Sequence, residues 1–225
     1  RKRITKNLLT AVALCTALSA EAYDFEAGGI YYNITSETDK TVEVTSGSYA
    51  GDIKIPSTVN NGGKTYTVTS IRDEAFYWCL NLTSVNIPEE VTTIGHSAFG
   101  GCNKLTSVNI PDGITEIGER FFYLCSSLTS IDIPDKVTSI GNEAFSGCSS
   151  LTEINCLATV PPICGTSCFY GVDKANCTLD VPVGTEDAYK AAKGWKEFMY
   201  EDYFTVDEFR YAVISSENLN VAVVS

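Results

Sequence analysis

The stretch LTSVNIPEEVTTIGHSAFGGCNK, residues 82–104, is followed directly by two near-copies of itself. Residues 105–127 read LTSVNIPDGITEIGERFFYLCSS, and residues 128–150 read LTSIDIPDKVTSIGNEAFSGCSS. Leucine, β-branched residues, proline, phenylalanine and cysteine recur at the same places of each copy, and every step is 23 residues long. A fixed period between about 20 and 50 residues predicts a solenoid in which each repeat forms one turn of the chain.

Each copy reads as a half-buried strand followed by a turn. In LTSVNIP, apolar residues occupy the first, fourth and sixth places, and the last two alternate with polar asparagine. Proline ends the strand because it has no N–H for a ladder, and V-x-x-I-G then turns the chain. The A-F-x-x-C segment is predicted to form a further wall. One turn buries too few apolar side chains to offset the entropy lost on ordering it, so stacked neighbours must supply the cohesion.

The pattern L-x-x-V-x-I, proline, V-x-x-I-G-x-x-A-F-x-x-C resembles the BspA-like leucine-rich repeat of bacterial surface proteins. The resemblance extends over about residues 51–198 and implies a repeat solenoid, a right-handed coil of 23-residue units with short parallel β-strands and turns. It also implies a short C-terminal capping helix and a non-catalytic role in adhesion to host or neighbouring-cell proteins. Phe121 stands where the other copies have alanine, and we expect the coil to widen there.

Five segments are predicted along the chain. The basic head, short apolar run and small residues of the first segment are typical of a secretory signal cleaved near Tyr23, whereas Cys15 is a poor lipid-anchor site because Leu14 precedes it. The last segment matches residues 29–46 at an offset of 179. The segments are a signal peptide at 1–22, an N-terminal β-hairpin cap at 23–50, about five coils at 51–182 with a hairpin insertion at 57–67, a C-terminal cap helix and linker at 183–204, and the start of a second cassette or a β-tail at 205–225.

The chain is acidic, with 16 basic and 28 acidic residues and a net charge of −12. Without residues 1–22 the charge is 12 − 27 = −15. Such a surface repels phosphate groups, which excludes nucleic acid and anionic membranes as expected partners. Together with the export signal, this predicts a secreted or cell-surface location and no membrane insertion of the mature domain.

Few residues suggest catalysis or a cofactor, and neither is expected. Four of the nine cysteines form a column that we interpret as small buried side chains: Cys79, Cys102, Cys125 and Cys148. The chain has one histidine, His96, and no C-x-x-C pair, so zinc and a catalytic Cys–His pair are not predicted. Because the protein is expected to be exported, a disulfide among the off-column cysteines is one alternative and free thiols are the other. These residues are Cys156, Cys164, Cys168 and Cys177. The pair Glu89-Glu90 is interpreted as a charged rim.

The polar side of the predicted strands is the best candidate for binding. Its side chains alternate with the buried ones and are expected to align in two stripes from turn to turn. The stripes are Ser84, Ser107, Ser130 and Glu153, and beside them Asn86, Asn109, Asp132 and Asn155. They suit either a protein ligand on an extended surface or no ligand at all, as a solvated face. The alternative function is a carbohydrate-binding module, whose aromatic platforms would be Tyr77, Trp78, Tyr123 and Tyr170.

Overall fold

A computed structural model describes residues 23–200, 203–206, 209–215 and 220–224. The export signal predicted at 1–22, with Cys15, lies outside the described residues. The elements in chain order are β1 Phe25–Ala27, β2 Ile30–Ser36, β3 Thr41–Val44, β4 Ala50–Lys54, β5 Thr58–Asn61, β6 Lys64–Ile71, β7 Asn81–Asn86, β8 Thr93–Ile94, β9 Ser107–Val108, β10 Glu116–Ile117, β11 Ser130–Ile133, β12 Ser139–Ile140, β13 Glu153–Cys156, β14 Ile163–Cys164, β15 Thr178–Asp180, α1 Glu186–Ala191, β16 Met199–Tyr200, β17 Tyr203–Val206, β18 Phe209–Ser215 and β19 Asn220–Val224.

The repeats form stacked turns, which confirms the predicted solenoid of short parallel strands. The L-x-x-V-x-I segments make a first wall, in which β4, β7 and β9 pair in parallel, as do β11, β13, β15 and β16. Short strands of the V-x-x-I-G turns make a second wall from β6 and β8 and from β10, β12 and β14. After the helix, strand β16 adds one more strand to the first wall. The sequence did not predict this strand, because the 23-residue pattern does not continue there.

The third wall is the A-F-x-x-C segment, whose backbone bonds directly from one turn to the next. The amide of Phe76 donates to the carbonyl of Ala98 at 2.8 Å, and the amide of Trp78 donates to Gly100 at 2.7 Å. Later turns repeat this pair of bonds. The residue at the second donor position has positive φ at Trp78, Gly101, Leu124 and Gly147, and Gly171 has positive φ at the same place of the next turn.

The repeated apolar columns fill the space between the walls. Each member of the leucine column and of the phenylalanine column is at most 2% exposed, namely Leu82, Leu105, Leu128, Leu151, Phe76, Phe99, Phe122 and Phe145. The phenylalanine rings, continued by Phe169, lie 5.2 to 5.5 Å apart between successive turns. Tyr49 covers one end of this ring column at 4.7 Å, and Trp195 covers the other at 5.1 Å. The column is therefore closed at both ends by aromatic side chains.

Two β-structures flank this array. At the N-terminus the order β1-β2-β3-β6-β5 joins an antiparallel cap to the second wall through the parallel pair β3–β6, and β5–β6 is the hairpin at the predicted insertion. At the C-terminus β17, β18 and β19 form an antiparallel sheet. This sheet repeats the opening one in detail, because β2–β3 and β18–β19 shift register between Ile34 and Ser36 and between Val213 and Ser215, each pair 179 residues apart.

Phe121 interrupts the regularity of the stack. Its ring is fully buried, edge-on to Phe122 at 4.7 Å and tilted against Phe99 at 5.6 Å. Among the described residues, no ladder joins β9 to β11 or β8 to β10, the pairs that flank this turn. A phenyl ring needs more room than the methyl of Ala98 or Ala144, so the strands separate on both walls beside it.

Candidate functional site

The strand face carries the two predicted stripes in register, in two groups. Ser84 lies opposite Ser107 on β7 and β9, and Ser130 lies opposite Glu153 on β11 and β13. In the second stripe Asp132 lies opposite Asn155. The missing ladder between β9 and β11 separates the groups. Asn86, Ser107, Ser130, Asp132 and Glu153 are exposed, whereas Ser84, Asn109 and Asn155 are half-buried.

Two stripe residues have roles inside the fold. The Asn109 side chain forms two bonds with the backbone of Ile87, accepting from its N–H and donating to its carbonyl, both at 2.7 Å. It thereby replaces the backbone ladder where β9 ends. The Ser84 hydroxyl donates to Asp52 at 2.6 Å, and this bond with that from Thr83 lowers the pKa of the Asp52 carboxyl. Asn109 and Ser84 are therefore less available to a ligand than the exposed members.

The stripes extend beyond the eight residues that the repeat pattern predicts. Asp52 pairs with Ser84 and Lys54 with Asn86 on the first strand, while Thr178 and Asp180 extend the stripes past β13. These additional stripe residues could have been predicted from the alternation of apolar and polar residues on their strands. The alternating apolar residues are Ile53 and Ile55 on one strand, and Leu179 and Val181 on the other. With Asp132, Glu153 and Asp180 on neighbouring strands, the C-terminal half of the face is acidic.

The cysteine column consists of buried free thiols, as the sequence indicated. Each thiol donates to a carbonyl of the preceding turn, with Cys102 reaching Phe76 at 3.0 Å, Cys125 reaching Phe99 at 3.1 Å and Cys148 reaching Phe122 at 3.2 Å. Burial raises the pKa of Cys102 and of Cys148 to about 12. Such thiols remain protonated and are poor nucleophiles or metal ligands. No metal-binding cluster of His, Cys, Asp or Glu occurs within the described ranges.

The off-column cysteines are also free in this structure. Cys164 and Cys168 lie together, and Gly194 packs against both sulfurs. The hydrogen bond from Cys164 and the nearby Lys174 ammonium lower the pKa of Cys168. His96, by contrast, lies in an exposed turn, where its Nδ1 accepts the backbone N–H of Glu119 at 3.2 Å. His96 is exposed, whereas the thiols of the column are buried.

The aromatic platforms lie on the outer surface of the third wall. Tyr77 and Trp78 are 41% and 49% exposed, and their rings lie over Gly100 and Gly101 of the next turn. Tyr170 is 74% exposed. Tyr123 is half-buried beneath the guanidinium of Arg120, 5.7 Å from its ring centroid.

No helix in the described part of the chain is long and apolar enough to cross a membrane. The repeats match a family model described as BspA type Leucine rich repeat region, in six copies over residues 69–185. No match is found among curated proteins. Solved structures, however, include several similar chains.

A leucine-rich repeat protein from Bacteroides ovatus is similar, with 33% identity and a TM-score of 0.55, over 79% of this chain and 40% of that one. The leucine-rich repeat protein of T. pallidum is 30% identical with a TM-score of 0.59, over 71% of this chain and 72% of that one. The pneumococcal vaccine antigen PcpA shares the fold alone, at 18% identity and a TM-score of 0.51, over 84% of this chain and 53% of that one.

This chain thus spans about 40% of the length of the Bacteroides ovatus protein. The family model covers 117 of the 225 residues, from 69 to 185. The resemblance found in the repeat pattern is thereby confirmed. The chain belongs to the BspA-type leucine-rich repeat family.

Proposed function

We propose that this protein is a non-catalytic, secreted or surface-displayed scaffold that binds macromolecules along its strand face. The observation that carries the proposal is the pair of aligned polar stripes, with Asn86, Ser107, Ser130, Asp132 and Glu153 exposed on successive strands. Solenoid repeats use such extended faces for recognition, since one side chain per turn can contact a long ligand. An adhesive role on the cell surface agrees with the acidic charge and the export signal expected at 1–22.

The composition of the face favours a protein ligand with basic groups. Asp132, Glu153 and Asp180 lie on three neighbouring strands, whereas Lys54 is at the opposite end. Carboxylates at this density attract lysine and arginine side chains and repel phosphate.

Charge reversal on the face tests this function. In the variant Asp132→Arg plus Glu153→Arg, we expect at least about a ten-fold loss of affinity for any protein captured by the unmodified chain from a panel of purified extracellular-matrix and plasma proteins. The matched control is Glu116→Arg plus Asp135→Arg, which changes the net charge equally at exposed positions off the stripes. Circular dichroism checks that both variants fold.

The outcomes separate a face-specific site from general electrostatics. Loss in the face variant with retention in the control supports the proposal. Equal loss in both variants means that net charge alone drives capture, and unchanged capture in the face variant moves the site elsewhere. Either of the last two results refutes binding along the stripes.

A further inference from the structure

One column of surface positions on the third wall alternates between tyrosine and a small residue. Successive turns carry Tyr77, Gly100, Tyr123, Ser146 and Tyr170 at the same place. Their register is set by backbone hydrogen bonds of 2.6 to 2.8 Å from the preceding turn to the carbonyls of the last four. The tyrosines therefore recur every second turn, about 9–10 Å apart along the stack at a rise of about 4.8 Å per turn.

The two intervals of this column differ because of the residue between the tyrosines. The ring of Tyr77 packs against Gly100, where a Cβ atom would lie 3.0 Å from the ring. The tyrosine thus fills the first interval with its own side chain. Ser146 occupies the equivalent place in the second interval and carries a Cβ atom, so the ring of Tyr123 would have to shift outward to take the position that Tyr77 has. The second interval contains a cavity.

The open interval is a slot with two aromatic walls. Tyr123 and Tyr170 stand on either side, and Ser146, only 6% exposed, forms the floor. Glu143 and Ser167 complete the lining of a cavity of about 300 Å³. A cavity of this volume is at the lower end of the range for small-ligand sites.

A salt bridge holds one wall and one polar group in place before any ligand binds. Arg120 Nε donates to Glu143 Oε2 at 2.8 Å, from one turn to the next. The same guanidinium lies over the ring of Tyr123, 5.7 Å from its centroid. Tyr123 and Glu143 are therefore preorganised at the edge of the slot, which lowers the entropy cost of binding.

The chemistry of the slot fits one class of ligand. Tyrosine rings present electron-rich faces that attract the weakly positive C–H faces of a saturated ring. Glu143, Ser146 and Ser167 add hydrogen-bonding groups suited to a ring that bears many hydroxyls. The chain's net charge of −12 disfavours anionic ligands. We propose that the slot binds a neutral pyranose residue of a glycan between Tyr123 and Tyr170.

This site is independent of the proposed protein-binding face, because it lies on a different wall of the solenoid. The two proposals can therefore fail separately. The strand-face variant Asp132→Arg plus Glu153→Arg should retain sugar binding. Slot variants should in turn leave protein capture by the stripes unchanged.

The test uses four soluble neutral probes: maltohexaose, cellohexaose, mannohexaose and N-acetylchitohexaose. Binding is detected by saturation-transfer-difference NMR and quantified by calorimetry with the full chain. We expect at least one probe to bind, and Tyr170→Ala to weaken it at least about ten-fold, equivalent to about 1.4 kcal/mol. Tyr170→Phe keeps the ring face and should bind within about three-fold of the unmodified chain. Tyr23→Ala removes a 44% exposed tyrosine of the cap and should change nothing.

Tyr170 is largely exposed, so its substitution is not expected to disturb folding, and urea unfolding of the variant verifies this. Binding that is lost in Tyr170→Ala and kept in Tyr170→Phe and Tyr23→Ala supports the site. The proposal is overturned if no probe binds at concentrations up to about 10 mM, or if Tyr170→Ala binds as tightly as the unmodified chain. It is also overturned if decaproline, and no sugar, binds in a Tyr170-dependent manner, since the slot would then recognise a polyproline segment.

Discussion

Single residues connect neighbouring turns through side-chain bonds to the backbone. The Cys125 thiol donates to the carbonyl of Phe99 in the turn before, and this carbonyl already accepts the amide of Cys102 at 3.2 Å. The thiol is therefore an additional donor, and its removal leaves no orphan carbonyl. A small apolar body with a weak donor explains why cysteine suits this column, because serine would bury a more polar group and valine would overfill the space.

The protonation of these thiols yields a prediction about their reactivity. Burial raises the pKa of Cys102 and Cys148 from 9.0 to about 12, which lowers the thiolate fraction at pH 8 roughly a thousand-fold. We expect iodoacetamide at pH 8 to leave both unlabelled in the folded chain and to label them fully in urea. The readout is peptide mass spectrometry after timed quenching.

Cys168 serves as the internal comparison for this experiment. Its pKa is lowered by the hydrogen bond from Cys164 and by Lys174, so its thiolate persists to lower pH than that of an ordinary thiol. Cys168 is only 4% exposed, so it resembles the column in burial and differs in its pKa. We expect labelling at Cys168 before any residue of the column. Rapid labelling of Cys102 in the folded chain would show that the column opens readily or that its thiols are not buried.

Elements of the third wall fit together by placing a large side chain over a small one in the next turn. Trp78 lies over Gly101, where a Cβ atom would come 2.7 Å from its ring, and Leu124 lies over Gly147, where the distance would be 2.6 Å. These positions all have positive φ, so large and small residues adopt the same backbone and differ only in what they cover. Gly171 has the same φ but only ordinary contacts at 3.5 Å or more.

A double-mutant cycle measures this large-over-small packing. Gly101→Ala combines backbone strain with overlap of the Trp78 ring, and we expect it to lower the free energy of unfolding by about 1–3 kcal/mol. In a Trp78→Ala background the same change should cost about 1 kcal/mol less, because only the strain remains. Urea unfolding of the four chains provides the values.

Gly171→Ala is the matched control, with φ of +82° against +79° for Gly101 but no ring above it. We expect it to cost only the strain, about 1 kcal/mol. Equal costs for Gly101→Ala and Gly171→Ala, or a Gly101→Ala cost that is independent of Trp78, would mean that the ring contact contributes nothing.

Among the structural elements, the sequence predicts the features that recur in every turn. It does not predict contacts that depend on one particular neighbouring side chain. The leucine and phenylalanine columns are buried as the 23-residue period indicates, since every turn meets the same environment. The side-chain bonds of Asn109 to Ile87 could not be predicted, because they arise where the ladder stops beside the bulky Phe121 turn. The open slot likewise depends on one substitution in the column: Ser146 follows Tyr123 where Gly100 follows Tyr77. Its effect can be seen only when the turns are stacked.

The described repeats form a one-dimensional stack whose ring column ends in an aromatic side chain on each side, Tyr49 and Trp195. In such a stack the turns interact mainly with their neighbours, so cohesion passes along this column. Trp195 is fully buried, and its indole N–H donates to the carbonyl of Pro162 at 2.8 Å. The rings of Phe169, Tyr189 and Phe198 surround it. This residue therefore seals the C-terminal end of the stack.

Removing the Trp195 side chain should destabilise the C-terminal turns first, so that unfolding begins at that end of the stack. Trp195→Ala removes a large buried side chain and leaves the Pro162 carbonyl with only the distant Cys164 thiol as donor, at 3.8 Å, so we expect a loss of about 3–5 kcal/mol in local stability. Because turns couple only to neighbours, amide hydrogen exchange should accelerate first at β14 and β15 and least at β4 and β7. Phe122→Ala is the control, a comparable loss in the middle of the ring column that should accelerate exchange on both sides of its own turn. Uniform acceleration in Trp195→Ala would show that the chain unfolds as one unit and that its ends do not govern its stability.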